Sequence, residues 1–287
     1  MLGKSLELGE FYKELRIARG LKLKDVAKDN LSISQLSKFE NGQTMLAADK
    51  MLLAIQGIHM TFSEFGYALT QYQESDFFKT GKRLMELQSQ NDIDGLKKIL
   101  DNYEGTESYA IYNRLNKLVI KAAIYTLDQS FEITIEEKEF LTSYLYAIEE
   151  WTEYELYLFG NTLFILSDDD LVFLGKAFVD RDKLYRNLPA HKNRAELVLL
   201  NLILILLEHR NFYHASYFVE NLEKILTYQD MFARIFLTFL KKVMAYIKGE
   251  TTDLSDIENY IRLIEQLDNP TLVMYLRTNL KQIISNK

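Results

Sequence analysis

The sequence predicts an all-α protein in two unequal parts, residues 1–70 and 71–287. Three observations lead there. Only two prolines, Pro189 and Pro270, and 12 glycines punctuate 287 residues, too few breaks for many short strands. Apolar residues make up 48% of the chain, enough to bury a sizeable core, and they recur with helical spacing. The charge is uneven. The net is −7, yet residues 11–38 hold seven basic side chains (Lys13, Arg16, Arg19, Lys22, Lys24, Lys28, Lys38) against three acidic ones.

The first part reads as five short helices. Leu8, Phe11, Tyr12, Leu15 and Ile17 or Ala18 form a helical stripe that stops at Gly20. A second helix covers 24–28, with Val26 and Ala27 inward. The third lies in LSISQLSKFENG, Leu31 to Gly42. Ser32 is an N-cap, and Gln35 three residues on completes a capping-box spacing. Leu36 and Phe39 face inward, Leu31 packs at the entry, and Asn41-Gly42 ends the helix. A fourth helix runs over 48–55. A fifth starts at Thr61 with Phe62, Phe65 and Leu69 inward. A tight turn between the second and third makes this a helix-turn-helix.

The order Leu15-Arg16-x-x-Arg19-Gly20-Leu21, then Val26-Ala27, then Ser32-x-Ser34-x-Leu36-Ser37-Lys38-Phe39-Glu40-x-Gly42 resembles the Xre/Cro-type repressor domain over about 60 residues. The resemblance implies that Leu31 to Glu40 is a recognition helix. It also places Arg16 and Glu40 at that family's buried ion pair. The outward face then offers Ser34, Gln35 and Lys38, with Ile33 and Ser37 beside them. Glutamine can bond adenine, lysine can bond guanine or phosphate, and Ile33 can touch a thymine methyl. Lys13, Arg19, Lys22 and Lys24 suit phosphates, which position without specifying. Many Xre-type domains open their second helix with Ser-Gln. Here Lys22 and Leu23 stand there, so no glutamine contact is assigned. The bland alternative is a solvated face with Gln35 serving only as a cap.

The second part reads as helices over 74–90, 92–103, 107–129, 134–149, 152–166, 168–186, 191–208, 211–227, 230–248, 252–267 and 270–284. Turn residues separate them: Asp92, Gly105-Thr106, Thr134, Ser167, Asn211, 249–252 and Asp268-Asn269-Pro270. This is five antiparallel pairs and a last helix that caps the end or joins two subunits. No residue consensus recurs. The pattern fits a degenerate, tetratricopeptide-like solenoid with a concave groove. Asn161, Asn201 and Lys241 fall 40 residues apart in successive first helices, each preceded by seven residues by Tyr154, Arg194 and Arg234. Seven residues is two turns, so two polar rows can cross the groove. Arg83, Arg114 and Asn116 extend the lining. An asparagine amide pairs with the N–H and C=O of an extended peptide, and an arginine takes a carboxylate. Against this, buried asparagines often bond neighbouring backbone, and arginines form ordinary ion pairs.

An Xre-type head followed by degenerate helical repeats, with LSISQLSKFENG in the head and EEWTEYELYLFGNTLFILSDDDL in the body, resembles the Rgg/GadR/MutR regulators of the wider peptide-sensing RNPP group. That resemblance spans the full length. It implies a cytoplasmic, homodimeric transcription factor that binds a double-stranded DNA operator and a short, hydrophobic pheromone peptide, a quorum-sensing device. Some members link their heads through a cysteine; this chain has none, so no such link can form.

Other classes carry little weight. Without cysteine there is no disulfide framework, thiol catalysis or cysteine metal site. His209 and His214 are five apart across a turn, and no HExxH, phosphate loop or GxGxxG occurs. No metal, cofactor or enzymatic role is expected. Asp168-Asp169-Asp170 follows Ser167 at a helix start, where acids oppose the helix dipole. LVLLNLILILL, Leu197 to Leu207, is about half a membrane span, and MLGKSLELGEF has no apolar signal core. Two alternatives remain: a peptide-independent regulator whose body only dimerises or contacts RNA polymerase, and a repeat scaffold whose helix-turn-helix binds protein.

Overall fold

The computed structural model describes residues 5–28, 30–73, 75–105, 107–181 and 188–285. The chain divides into two compact units, Met1–Lys79 and Thr80–Lys287. Among the described residues there are sixteen α-helices, one 3-10 turn and no strand. The chain is all-α.

Five helices build the first unit: α1 (Ser5–Ala18), α2 (Leu23–Val26), α3 (Ile33–Glu40), α4 (Ala48–Gly57) and α5 (Phe62–Leu69). Tyr12, Val26, Leu31, Leu36, Phe39, Ala54, Ile55, Ile58, Met60 and Phe65 form its core. α1 packs on α3 so closely that a Cβ on Gly9 would lie 1.9 Å from the Phe39 carbonyl oxygen. The Tyr12 hydroxyl donates to the Ala54 carbonyl at 2.8 Å, which ties α1 to α4. Gly20 and Gly42, with φ +69° and +68°, end α1 and α3 in the left-handed region that favours glycine.

Three expectations shift here. Ile17 and Ala18 are exposed, because the last turn of α1 runs past the core that Tyr12 and Leu15 reach. The second helix is a single turn ending at Val26. Ala27 is extended and only partly buried, and Lys28 bridges to Leu31. Phe62 is 66% exposed. It is the first residue of α5, where the helix has only just reached the core, so Phe65 and Ala68 carry the packing instead.

The rest of the chain continues as α6 (Asp76–Ser89), α7 (Ile93–Asp101), α8 (Ala110–Leu127), α9 (Ile135–Ala147), α10 (Glu153–Thr162), α11 (Asp168–Arg181), α12 (Pro189–Glu208), α13 (Phe212–Ile225), α14 (Met231–Ile247), α15 (Ser255–Glu265) and α16 (Pro270–Ser285). The expected ends at 74, at Thr106 and over 182–186 lie outside the described residues. The helices α8, α10, α12, α14 and α16 pack side by side as one layer. The central member, α12, carries LVLLNLILILL. Nearly all of it from Ala195 to Leu207 is buried, and α12 touches α10, α11, α13, α14 and α16. No helix among the described residues is long and apolar enough to cross a membrane.

The expected helix over 152–166 breaks. α10 stops at Thr162, whose hydroxyl bonds back to the Leu158 carbonyl at 2.8 Å, and a 3-10 turn, Leu163–Ile165, follows. Back-bonding of this kind competes with the helix ladder. α11 consequently lies mainly against α9 and α12, not folded back on α10 as a simple pair. Asp168, Asp169 and Asp170 occupy the first turn of α11. Asp170 N–H donates to Ser167 Oγ at 3.2 Å, and Asp168 pairs with His209 Nδ1 at 2.5 Å.

Candidate functional sites

In the first unit, Arg16 and Glu40 meet in bidentate geometry. Nε–Oε1 and Nη2–Oε2 are both 2.6 Å, with the residues 6% and 2% exposed. Arg16 Nη1 also donates to the Leu21 carbonyl. One guanidinium thus fastens α1 to α3 and to the loop before α2. Leu36, Phe39 and Glu40 are the buried side of α3. The opposite side is open: Ile33, Ser34, Gln35 and Lys38 are exposed and Ser37 is half-buried. Arg19, Lys22 and Lys24 are exposed, and Lys13 is half-buried. Lys13, Lys22, Lys24 and Lys38 make no ion pair among the described residues.

α3 starts on a complete capping box. Gln35 N–H donates to Ser32 Oγ at 3.2 Å, and Ser32 N–H donates to Gln35 Oε1 at 3.1 Å. Two of the orphan donors of the first turn are satisfied reciprocally.

In the second unit the nine polar candidates separate. Asn116 and Tyr154 come together: the Tyr154 hydroxyl donates to Asn116 Oδ1 at 3.1 Å. Asn116 is 3% exposed, so its amide joins α8 to α10 instead of facing a groove. Tyr154 stacks edge-on to Tyr112 at 5.3 Å, and burial pushes its hydroxyl pKa well above the ordinary tyrosine range. It is a neutral donor. Arg234 donates from Nε to the Thr227 carbonyl and from Nη2 to that of Leu226, at 2.6 and 2.9 Å. Its guanidinium closes the end of α13. Asn116 and Arg234 therefore have structural partners that take the groups a ligand would need.

The other cations are exposed or partly exposed and paired. Arg83 meets Glu86 at 2.9 Å and Lys241 meets Glu223 at 2.5 Å. Arg114 meets Glu136 at 3.0 Å and sits 3.8 Å over the Phe140 ring. Arg194 Nε stands 3.9 Å from Glu153. Surface pairs of this kind are weak and can be exchanged for a ligand carboxylate.

The two asparagines differ from these. Asn161 is exposed, and its Nδ2 donates to the Tyr157 carbonyl at 2.7 Å. Asn201 is half-buried on α12 and makes no side-chain hydrogen bond among the described residues. α10 and α12 touch where a Cβ on Gly160 would lie 2.9 Å from Val198 Cγ2. Asn161 and Asn201 follow these contact points by one and three residues. Phe164, 40% exposed, and Leu197, 46% exposed, are the apolar side chains left open nearby in sequence. The sequence reading missed both, because each sits in an apolar run that reads as uniformly buried.

A family described as "HTH-type transcriptional regulator Rgg, C-terminal domain" matches residues 96–278. The chain belongs to the Rgg family. Solved structures similar to this Rgg-family chain share its fold from end to end. The Streptococcus dysgalactiae SHP pheromone receptor Rgg2 superposes with a TM-score of 0.76 at 20% identity, covering 96% of this chain and 99% of that one. A putative transcriptional regulator from Listeria monocytogenes EGD-e gives 0.76 at 20%, covering 98% of each. PrgX, solved in complex with cCF10, gives 0.69 at 14%, covering 98% and 94%.

Proposed function

We propose that this Rgg-family chain is a sequence-specific DNA-binding regulator controlled by a short apolar peptide. The peptide lies along the layer α8–α10–α12–α14. α3 enters the major groove of a two-fold operator, and two copies of the chain supply the two heads. Arg19, Lys22, Lys24 and Lys38 neutralise phosphates or reach base edges, with Lys13 at their margin. In the body, Asn161 and Asn201 pair with the peptide backbone, Leu197 and Phe164 take its side chains, and Lys241 or Arg194 takes a carboxylate. The peptide shifts regulation only by binding one arrangement of the two heads better than another. The pheromone-receptor role of Rgg2 and the complex of PrgX with cCF10 accord with this reading.

The observation that carries the proposal is Asn201. Its amide is half-buried in an otherwise apolar helix and bonds no group among the described residues, so both its donors and its acceptor are available to a ligand backbone.

The test titrates the full-length chain against a pool of short synthetic apolar peptides and against DNA from upstream of its own gene. Fluorescence anisotropy reads the DNA at two salt concentrations. Affinity is expected to fall steeply with log salt, by a slope of about 0.9 per phosphate neutralised. Asn201→Ala and Asn161→Ala are each expected to weaken a bound peptide about tenfold. Unchanged peptide affinity in both would remove the groove reading, and a missing DNA isotherm would put a protein-binding scaffold in its place.

A further inference from the structure

We infer that Gln35 is a positioning residue, and that base discrimination by α3 rests on Ile33 and Lys38. The inference rests on the DNA-binding reading above. Reading adenine through a glutamine needs both the amide oxygen and the amide nitrogen. In this chain Gln35 Oε1 accepts the Ser32 N–H at 3.1 Å, and the Gln35 N–H is capped by Ser32 Oγ. A bidentate adenine contact would have to share that oxygen with the Ser32 N–H or turn it away, giving up the side-chain half of the capping box.

The geometry of α3 agrees. Leu36, Phe39 and Glu40 fix its inner side. At 100° per residue, Ser34 and Lys38 lie opposite that side, while Gln35 lies about a quarter turn away. Ser34 and Lys38 stand four apart and point the same way. Lys38 is exposed and has no ion-pair partner among the described residues. Its ammonium suits the paired acceptors of guanine. Ile33 is the first residue of the helix and 51% exposed. Seven residues before Glu40, it lies at the flank of the inner side, and its place at the helix start leaves it outside the core of its own unit. The N-terminal end of a recognition helix is the end that reaches base edges. The one apolar group offered there is the thymine methyl.

The experiment begins with random-site selection using the full-length wild type, Gln35→Glu and Gln35→Ala. Glutamate keeps the oxygen that caps Ser32 but has no amide donor. On the selected operator, each thymine is then replaced by deoxyuridine, which lacks only the methyl. Wild type and Ile33→Ala are compared on these duplexes, with folding of Ile33→Ala checked by circular dichroism.

Gln35→Glu and Gln35→Ala are expected to select the same bases as wild type. Glutamate should lose affinity evenly across sequences, and alanine should lose it through the cap. One thymine per half-site should cost wild type about fourfold on conversion to deoxyuridine, the worth of one buried methyl. Ile33→Ala should bind the two duplexes equally. A changed base preference in Gln35→Glu would make Gln35 a reader and overturn the inference. So would the absence of any thymine effect in wild type, or its survival in Ile33→Ala. If wild type enriches no sequence at all, the DNA-binding reading itself fails, which is a separate result.

Discussion

Glu40→Ala should strongly destabilise the first unit while leaving the second intact. Glu40 is 2% exposed and Arg16 is 6% exposed, joined by two contacts of 2.6 Å. Removing the carboxylate strands a buried guanidinium, which costs about 3–5 kcal/mol. A unit of this size has a total stability of roughly 4–10 kcal/mol, so much of it is lost. In urea, with m near 1.5 kcal/mol/M, the midpoint should fall by about 2 M or more. Two probes separate the units. The single tryptophan, Trp151, lies in the second unit, fully buried between Phe159 and Phe178 at ring distances of 5.2 and 5.5 Å. Its fluorescence should report an unchanged transition while far-UV circular dichroism shows an early loss of helix. Arg16→Met combined with Glu40→Leu should recover most of the loss. The remaining deficit is the Leu21 carbonyl that Arg16 Nη1 serves, worth about 1 kcal/mol. A midpoint shift under about 0.5 M for Glu40→Ala, or a double variant no better than the single one, would refute the reasoning.

Two further outcomes concern the second unit, both read by Trp151 fluorescence in urea. Tyr154→Phe should cost about 1–3 kcal/mol, because the buried Asn116 oxygen loses its donor; no change would mean that the amide finds water. Asp230 is paired with Lys192 and accepts from Thr227. Burial raises its pKa, but these partners outweigh that and lower it to about 2. A depressed carboxylate stabilises above its unfolded value and loses that contribution as pH falls through its folded value. Asp230→Asn should therefore lower the urea midpoint at pH 7 and lower it much less near pH 2, where the carboxylate is about half protonated, and an equal effect at both would exclude the ion pair as the cause.

The head is legible in the sequence because its signals are local. Ser32 and Gln35 stand at the spacing of a capping box, and the box forms. Arg16 and Glu40, placed by the resemblance, meet as a buried pair. Leu31, Leu36 and Phe39 turn inward because no other face of so short a helix is apolar. The body is legible only as helices. A forty-residue spacing puts Asn161, Asn201 and Lys241 in successive helices of one layer, but the loops between them reset the rotation of each helix. Register along a chain therefore says which layer a side chain joins and not what it touches. Asn116 found the Tyr154 hydroxyl, and Arg234 found the carbonyls that follow the end of α13, because each lay within reach of them. Thr162, inside what reads as one helix over 152–166, turns its hydroxyl back to the Leu158 and Phe159 carbonyls where α10 gives way to the 3-10 turn, and no periodicity reveals that.

Asn201 is the position where this reasoning can be tested against itself. A side chain kept for stability should cost stability when replaced. Asn201 sits among Leu199, Leu200, Leu202 and Ile203, all buried, and has no internal hydrogen bond among the described residues. Leucine there keeps the branching and the number of side-chain heavy atoms, and puts an apolar group where a half-buried amide stood. Asn201→Leu should stabilise the second unit by about 1 kcal/mol, read as a higher urea midpoint by Trp151 fluorescence, and should weaken peptide binding at the same time. A gain in stability bought by a loss of binding is the mark of a residue held for a ligand. If Asn201→Leu instead destabilises the fold, the amide has an internal role, and the groove loses its strongest support.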